Sequence, residues 1–252
     1  MLTLFLSACG AKTPMPSAEA TEGITLVPIT TVPPLTEITF PDGSVHKTQE
    51  RRVDLSAMAH EEVSAAVEAL KQMPKLRYVN LGTEDAEEPG KGQDSAEKSV
   101  EFKNRGLTWE DVRTLQDACP EADVEYHFML FGKNFSTLDT EMNFHHIIMD
   151  DEGAALREVL PCMTKCELLD MDFSGVSSEN MAEIRDAYPQ MKVVWRIWFG
   201  SDCSVRTDVE RILASNLNHG LTDDNTRDLK YCTKVRLLDI GHNSMLHDFS
   251  FL

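Results

Sequence analysis

The sequence predicts an α/β chain in which short strands, all running the same way, are joined by helices. Three observations carry that prediction. A segment returns at a fixed spacing: Met163-Thr164-Lys165-Cys166-Glu167-Leu168-Leu169-Asp170-Met171 comes back as Cys232-Thr233-Lys234-Val235-Arg236-Leu237-Leu238-Asp239-Ile240, an offset of 69 residues. Within each copy the apolar residues fall at i, i+3 and i+5, so that the last two sit on one side of an alternating strand. Between copies the apolar spacing changes to three to five residues, the period of a helix face.

In chain order, the helical stripe Val63, Ala66, Leu70 and Met73 leads into a first strand marked by Leu76, Val79 and Leu81. This copy starts at Met73, 90 residues before the second, and the 21 residues beyond the later spacing fall in the polar stretch 82–106, which reads as a solvated loop insertion. The segment 107–120 matches 176–189, again at 69, with apolar, Asp-Ala and Pro positions coinciding. Val176, Met181, Ile184 and Ala187 give its helical face, Ser177 or Ser178 with Glu179 a start signal, and Pro189 the exit. Val124, Tyr126 and Phe128 then align with Val193, Trp195 and Ile197, with a one-residue slip before Phe131-Gly132 and Phe199-Gly200. Ala155, Leu156, Val159 and Leu160 precede the second strand, Cys166, Leu169 and Met171. The third strand, Val235, Leu238 and Ile240, is followed by Asn243 at i+8.

That order resembles the leucine-rich repeat, and residues from about 50 to 252 are similar to divergent bacterial surface proteins of that family. The resemblance implies a leucine-rich-repeat solenoid: a parallel β-sheet with helices on its outer face, the 69-residue unit holding three turns of roughly 20–29 residues. Asn243 would then satisfy backbone groups at the turn, while Glu84 and Ser174 stand at its position in the earlier copies. Such arrays close on a polar cap, and Phe251-Leu252 is none, so the repeat domain is expected to be truncated at its C-terminus.

Leu6-Ser7-Ala8-Cys9, closing an apolar run, resembles the end of a bacterial lipoprotein signal, which makes Cys9 the expected lipidation site and a membrane, reached through that lipid, an expected partner. Eight residues precede Cys9 and none is Lys or Arg, so residues 1–9 read as a signal remnant. Residues 10–36 are rich in Pro, Thr and Ser and read as a tether, and residues 37–252 as the repeat domain. No run of 18 apolar residues is present to span a bilayer. A net charge of −18 excludes nucleic acid and adsorption to anionic lipid, both of which need clustered Lys and Arg.

The cysteines read as core residues: Cys166 stands where other copies have Leu76 and Val235, Cys232 where they have Met73 and Met163, and Cys119 where the next has Tyr188. Cys162 and Cys166 near His145 and His146 come nearest to a metal motif, but no second matched pair accompanies them. Glycine-rich phosphate loops and Gly-x-Ser-x-Gly or His-Glu-x-x-His patterns are missing, so no catalytic residue, cofactor or metal is expected. His127, whose counterpart is Arg196, reads as an outward polar residue. Asn80, Asp170 and Asp239 share one position between inward residues and would project from the open sheet face; with Arg236 they are the candidate ligand-binding residues. Tyr126, Trp195 and Trp198 are aromatic candidates, although alternation groups Val124, Tyr126 and Phe128 on one buried face. The expected function is that of a lipid-anchored surface protein taking a macromolecular ligand, protein or glycan. The alternative is a targeting module of a larger enzyme whose catalytic domain lies outside this chain.

Overall fold

A computed structural model describes residues 36–83, 106–215 and 219–252. Cys9, the tether as far as residue 35 and the interior of the 82–106 insertion lie outside the described residues.

The described chain enters through an antiparallel pair, β1 (Glu37–Thr39) and β2 (Val45–Lys47). A first group of strands follows: β3 (Arg52–Asp54), β4 (Tyr78–Thr83) and β5 (Asp123–Leu130) are parallel neighbours, and β6 (Lys133–Ser136) turns back antiparallel to β5. The crossovers of this group carry α1 (Val63–Leu70) and α2 (Trp109–Ala118). The plan then recurs. In a second group β7 (Glu141–Asn143), β8 (Leu168–Asp170) and β9 (Lys192–Val194) are parallel, and β10 (Arg196–Phe199) and β11 (Cys203–Arg206) form the antiparallel hairpin. Its crossovers carry α3 (Ala154–Val159), extended by a 3-10 turn over Leu160–Cys162, and α4 (Ser178–Ala187). A third begins with β12 (Arg211–Leu213) parallel to β13 (Leu237–Asp239). The result is mixed α/β, with several small sheets and none closed among the described residues.

The expectation that every strand runs the same way is corrected by the hairpins. Leu130 pairs with Lys133 across Phe131 (φ 48°) and Gly132 (φ 75°), and two successive positive-φ residues form the tight turn that reverses a strand. The pattern Val124 to Gly132, which the repeat places alongside Val193 to Gly200, is thus one more parallel strand followed by its reversal.

Recurrence extends to single hydrogen bonds. Leu55, Phe144 and Ala214 donate their N–H to the carbonyls of Asn80, Asp170 and Asp239 at 2.8, 2.7 and 2.7 Å. After each hairpin a fully buried threonine ties the chain back: Thr137 N–H donates to Tyr126 O (3.1 Å) and Thr137 Oγ1 accepts from Tyr126 N–H (3.0 Å). Thr207 does the same with Trp195, at 2.8 and 3.2 Å. Each hydroxyl stands in for a missing ladder partner in a dry interior, where an unpaired N–H would be costly.

Inward residues of the strands build the core. Val79, Leu81, Leu169 and Met171 are all at most 1% exposed, whereas Val235, Leu238 and Ile240 of the third copy are half-buried. Cys119, Cys162, Cys166 and Cys232 are buried and unbridged, and burial pushes the thiols of Cys119, Cys162 and Cys232 up to about 11, which makes them inert at neutral pH. Asn243 Nδ2 donates to the carbonyls of Ala214, Ile240 and Gly241 at 3.2, 2.8 and 2.9 Å, joining its own turn to the neighbouring strand.

Helix starts are set by side chains. Thr108 caps α2 through Oγ1, which accepts from Asp111 N–H (3.2 Å), while Asp111 Oδ2 accepts from Thr108 N–H (2.8 Å). Ser177 caps α4 by accepting from Asn180 N–H at 3.4 Å. The same Asp111 carboxylate bonds His60 Nδ1 at 2.7 Å, joining the start of α1's segment to the start of α2. The bond and charge of Asp111 raise the pKa of His60. A raised histidine contributes stability in full below the ordinary value of about 6.5, and the contribution is lost as pH rises through the folded value. Urea midpoints of the wild-type chain should therefore decline as pH rises past that value, and His60→Ala should lose that part of the slope; parallel profiles would refute the coupling.

Candidate functional site

The position after each core strand residue is occupied, across the register, by Asp54, Asn80 and Glu125 in the first group, by Asn143, Asp170 and Val194 in the second, and by Leu213 and Asp239 in the third. Five of these have one shared task. Asp54, Asn80, Asn143, Asp170 and Asp239 each accept, through a side-chain oxygen, the N–H two residues later, at 3.0, 2.9, 3.0, 3.0 and 3.2 Å. These are Asx turns, in which a short side chain mimics backbone; at Asp54, Asn143, Asp170 and Asp239 the turn ends the strand, and at Asn80 it coincides with a register shift within β4. Three positions interrupt the series: at Glu125 and Val194 the chain continues into a hairpin, so no turn needs closing there, while β12 ends at Leu213 without an Asx turn.

Asn80 is half-buried, occupied by Gly82 N–H and by donation of its Nδ2 to Asp54 Oδ1 at 3.1 Å. Asp170 does not offer an open carboxylate: it is 9% exposed, and Oδ2 pairs with Arg206 Nη1 at 3.0 Å. Asp239 is exposed and spends one oxygen on its turn. Arg236 is exposed but has the alternation parity of Leu238, not of Asp239, so it lies off this row, at the strand's start beside Lys192, Asp208 and Glu210. Arg236 thus does not share the row of Asn80, Asp170 and Asp239. Tyr126 and Trp195 are buried at 4% and 2%, Trp195 with Nε1 donating to Ser178 Oγ at 3.3 Å, while Trp198 is 62% exposed. His127 faces outward, with Nε2 3.4 Å from Glu125 Oε1.

What the fold does assemble is a cluster on the second group. Asp172 is 1% exposed and receives Arg196 through two bonds, Nε to Oδ1 at 2.8 Å and Nη2 to Oδ2 at 3.0 Å, with Arg206 Nη1 at 3.4 Å. Burial alone would raise the Asp172 carboxyl, but the bonds and charges of both arginines overrule it and hold the group below the ordinary carboxylate value. Above this network lies an aromatic surface. The Arg196 guanidinium sits 4.5 Å from the Phe173 ring centre, His146 stacks on Phe173 at 4.5 Å and 17°, His145 is 5.9 Å away and Trp198 6.3 Å. Phe173 and His146 both hold positive φ, 60° and 61°, a conformation disfavoured for bulky residues that the surrounding packing must enforce. Exposed Ile148 borders Gly175 in the same turn region.

Asp172, Arg196 and Arg206 had escaped the sequence reading. A signal existed in the repeat itself: Asp172 stands where the other copies have Gly82 and Gly241, Arg196 where the first has His127, and Arg206 where it has Ser136. An acid and two bases appear together on one copy of a shared backbone. The aromatic turn was not legible, since nothing in sequence separates the exposed Trp198 from the buried Trp195 until the hairpin is placed.

A cleft of about 730 Å³ lies between the groups, lined by Gln116, Pro120, Asp123, Thr164 and Lys165, and recurs one unit later, beside Arg185, Pro189, Lys192, Thr233 and Lys234, with about 460 Å³. Two of its lysines are engaged in ion pairs, Lys165 with Asp123 at 3.0 Å and Lys192 with Asp208 at 2.7 Å. Among the described residues no helix is long and apolar enough to cross a membrane. No protein-family model matches this sequence, and comparison with curated proteins and with solved structures finds no match.

Proposed function

We propose that this chain is a surface binding protein of leucine-rich-repeat type, held to a bacterial membrane by lipid on Cys9, and that it takes a macromolecular ligand, protein or glycan, on the face carrying Phe173 and Trp198. The observation that carries the reading is the exposed aromatic and histidine cluster fixed from beneath by Asp172, Arg196 and Arg206. Exposed rings are costly in solvent and dominate contact energy when covered, and a pre-ordered platform loses little entropy on binding. The repeated Asx turns support the same reading: they hold one backbone constant while its surface chemistry differs from copy to copy. Lipidation rests on the Leu6-Ser7-Ala8-Cys9 box alone.

A screen of surface proteins and polysaccharides against the wild-type chain and Trp198→Ala tests the face. Removal of a central aromatic anchor typically costs about 2 kcal/mol or more, close to thirtyfold in affinity, and because Trp198 is largely exposed the melting temperature should hardly move. A ligand bound equally well by Trp198→Ala would remove this face from the proposal.

A further inference from the structure

The two hairpins differ by one residue, and the difference creates a new constellation. The first turns through Phe131-Gly132, between paired Leu130 and Lys133; the second turns through Gly200-Ser201-Asp202, between paired Phe199 and Cys203. The longer turn reaches the segment at His219. Ser201 N–H and Oγ both donate to the His219 carbonyl, at 2.7 and 3.0 Å. Gly200, at φ 65°, allows this approach, since a Cβ there would stand 2.5 Å from the same oxygen. The two segments are therefore clamped together independently of any attraction among the Asp202, Cys203 and His219 side chains.

Held by that clamp, three donor groups converge. Asp202 Oδ1 is 2.9 Å from His219 Nδ1 and 3.7 Å from Cys203 Sγ, and one ligand atom from each residue lies within 4.8 Å of the others. We propose that Asp202, Cys203 and His219 bind a divalent transition metal of the zinc class. Carboxylate, thiolate and imidazole together suit a borderline ion and do not suit calcium or magnesium. With bonds of about 2.0–2.3 Å a tetrahedral centre separates its ligands by roughly 3.3–3.8 Å, so the Asp202–Cys203 edge already fits, the Asp202–His219 edge has to open by a few tenths of an ångström, and the Cys203–His219 edge, within 4.8 Å, has to close by about 1 Å at most. Three protein ligands leave a fourth position for water or a donor from a partner.

Two further observations separate this trio from a chance ion pair. Cys203 is the one cysteine among the described residues that is not buried. The first hairpin, which lacks the extra residue, has Lys133 at the position of Cys203, so the ligand set occurs only where the turn was lengthened. Bound metal would lock the β10–β11 tip to the crossover between β12 and β13. The inference does not depend on the proposed binding face.

The test uses the full reduced chain and zinc chloride. Zinc should bind one per chain by calorimetry, raise the melting temperature and protect Cys203 from iodoacetamide, read by peptide mapping. Cobalt(II) in its place should give a thiolate charge-transfer band. Cys203→Ser and His219→Ala should each abolish the band and weaken zinc binding by more than the roughly 10–100-fold that loss of an outer-shell partner costs. Equal alkylation of Cys203 with and without zinc would overturn the proposal in the unaltered protein, as would zinc affinity unchanged in either variant.

Discussion

Phe144→Ala is expected to destabilise the chain by about 3–5 kcal/mol, a large part of the roughly 5–15 kcal/mol that holds a domain together. Phe144 is fully buried, at the end of β7, with the rings of Phe135 and Phe131 at 5.1 and 6.0 Å. Through Phe135 and Phe128 the ring series continues to Trp109, 4.8 Å from Phe128, so one line of aromatic contact runs from α2 through the first hairpin into the second group of strands. Truncation empties the junction between groups, where the hairpin and a strand from the next group would both have to move to refill it. Urea denaturation should show a lowered midpoint at unchanged slope, and Phe144→Leu should cost clearly less. A loss near 1 kcal/mol would mean that the junction collapses freely and does not couple the groups.

Asp172→Ala should cost about 3 kcal/mol, toward the lower end of the roughly 3–5 kcal/mol seen when one partner of a buried pair is removed. Two facts set the figure there. Arg206 keeps Asp170 and Asp208 at 3.0 and 3.2 Å, and Arg196, about one-fifth exposed, regains some water. The linkage has a definite sign. A carboxyl with lowered folded pKa contributes stability above its ordinary value near 3.9, and the contribution is lost as pH falls through the lower folded value. Wild-type and Asp172→Asn stability curves should thus separate at neutral pH and converge below about pH 4. Curves that stay parallel in acid would show that Asp172 acts by shape and not by charge. A cycle with Arg196→Met isolates the pair, since substitution of both partners removes the uncompensated charge.

Local order was well encoded. Ser177 and Pro189 bracket α4 as the start and stop signals require, because capping and the loss of an N–H act within a few residues. The i, i+3, i+5 spacing marks β4, β8 and β13 for the same reason: inward alternation is a property of the strand itself. The hairpins escaped, since Val124 to Phe128 alternates alike whether its neighbour is parallel or antiparallel, and direction is decided only by Phe131 and Gly132 adopting positive φ. For the site, sequence shows that Asn80, Asp170 and Asp239 share one position but not the duty of that position. Whether Asp170 is free or engaged depends on Arg206, 36 residues away on another strand.

The Asx turns divide the surface into constrained and unconstrained ground. Where the chain takes an Asx turn, the choice is confined to Asp or Asn, so Asp54, Asn80, Asn143, Asp170 and Asp239 are a poor source of novelty. Where it runs on, that limit lifts, and the same structural position carries a glutamate in one copy and a fully buried valine in the next, Glu125 and Val194. Diversity is thereby channelled to every third strand and its hairpin, from Met129 to Trp198 and from Lys133 to Cys203. A scaffold so arranged can acquire new surface chemistry at its hairpins without renegotiating its fold.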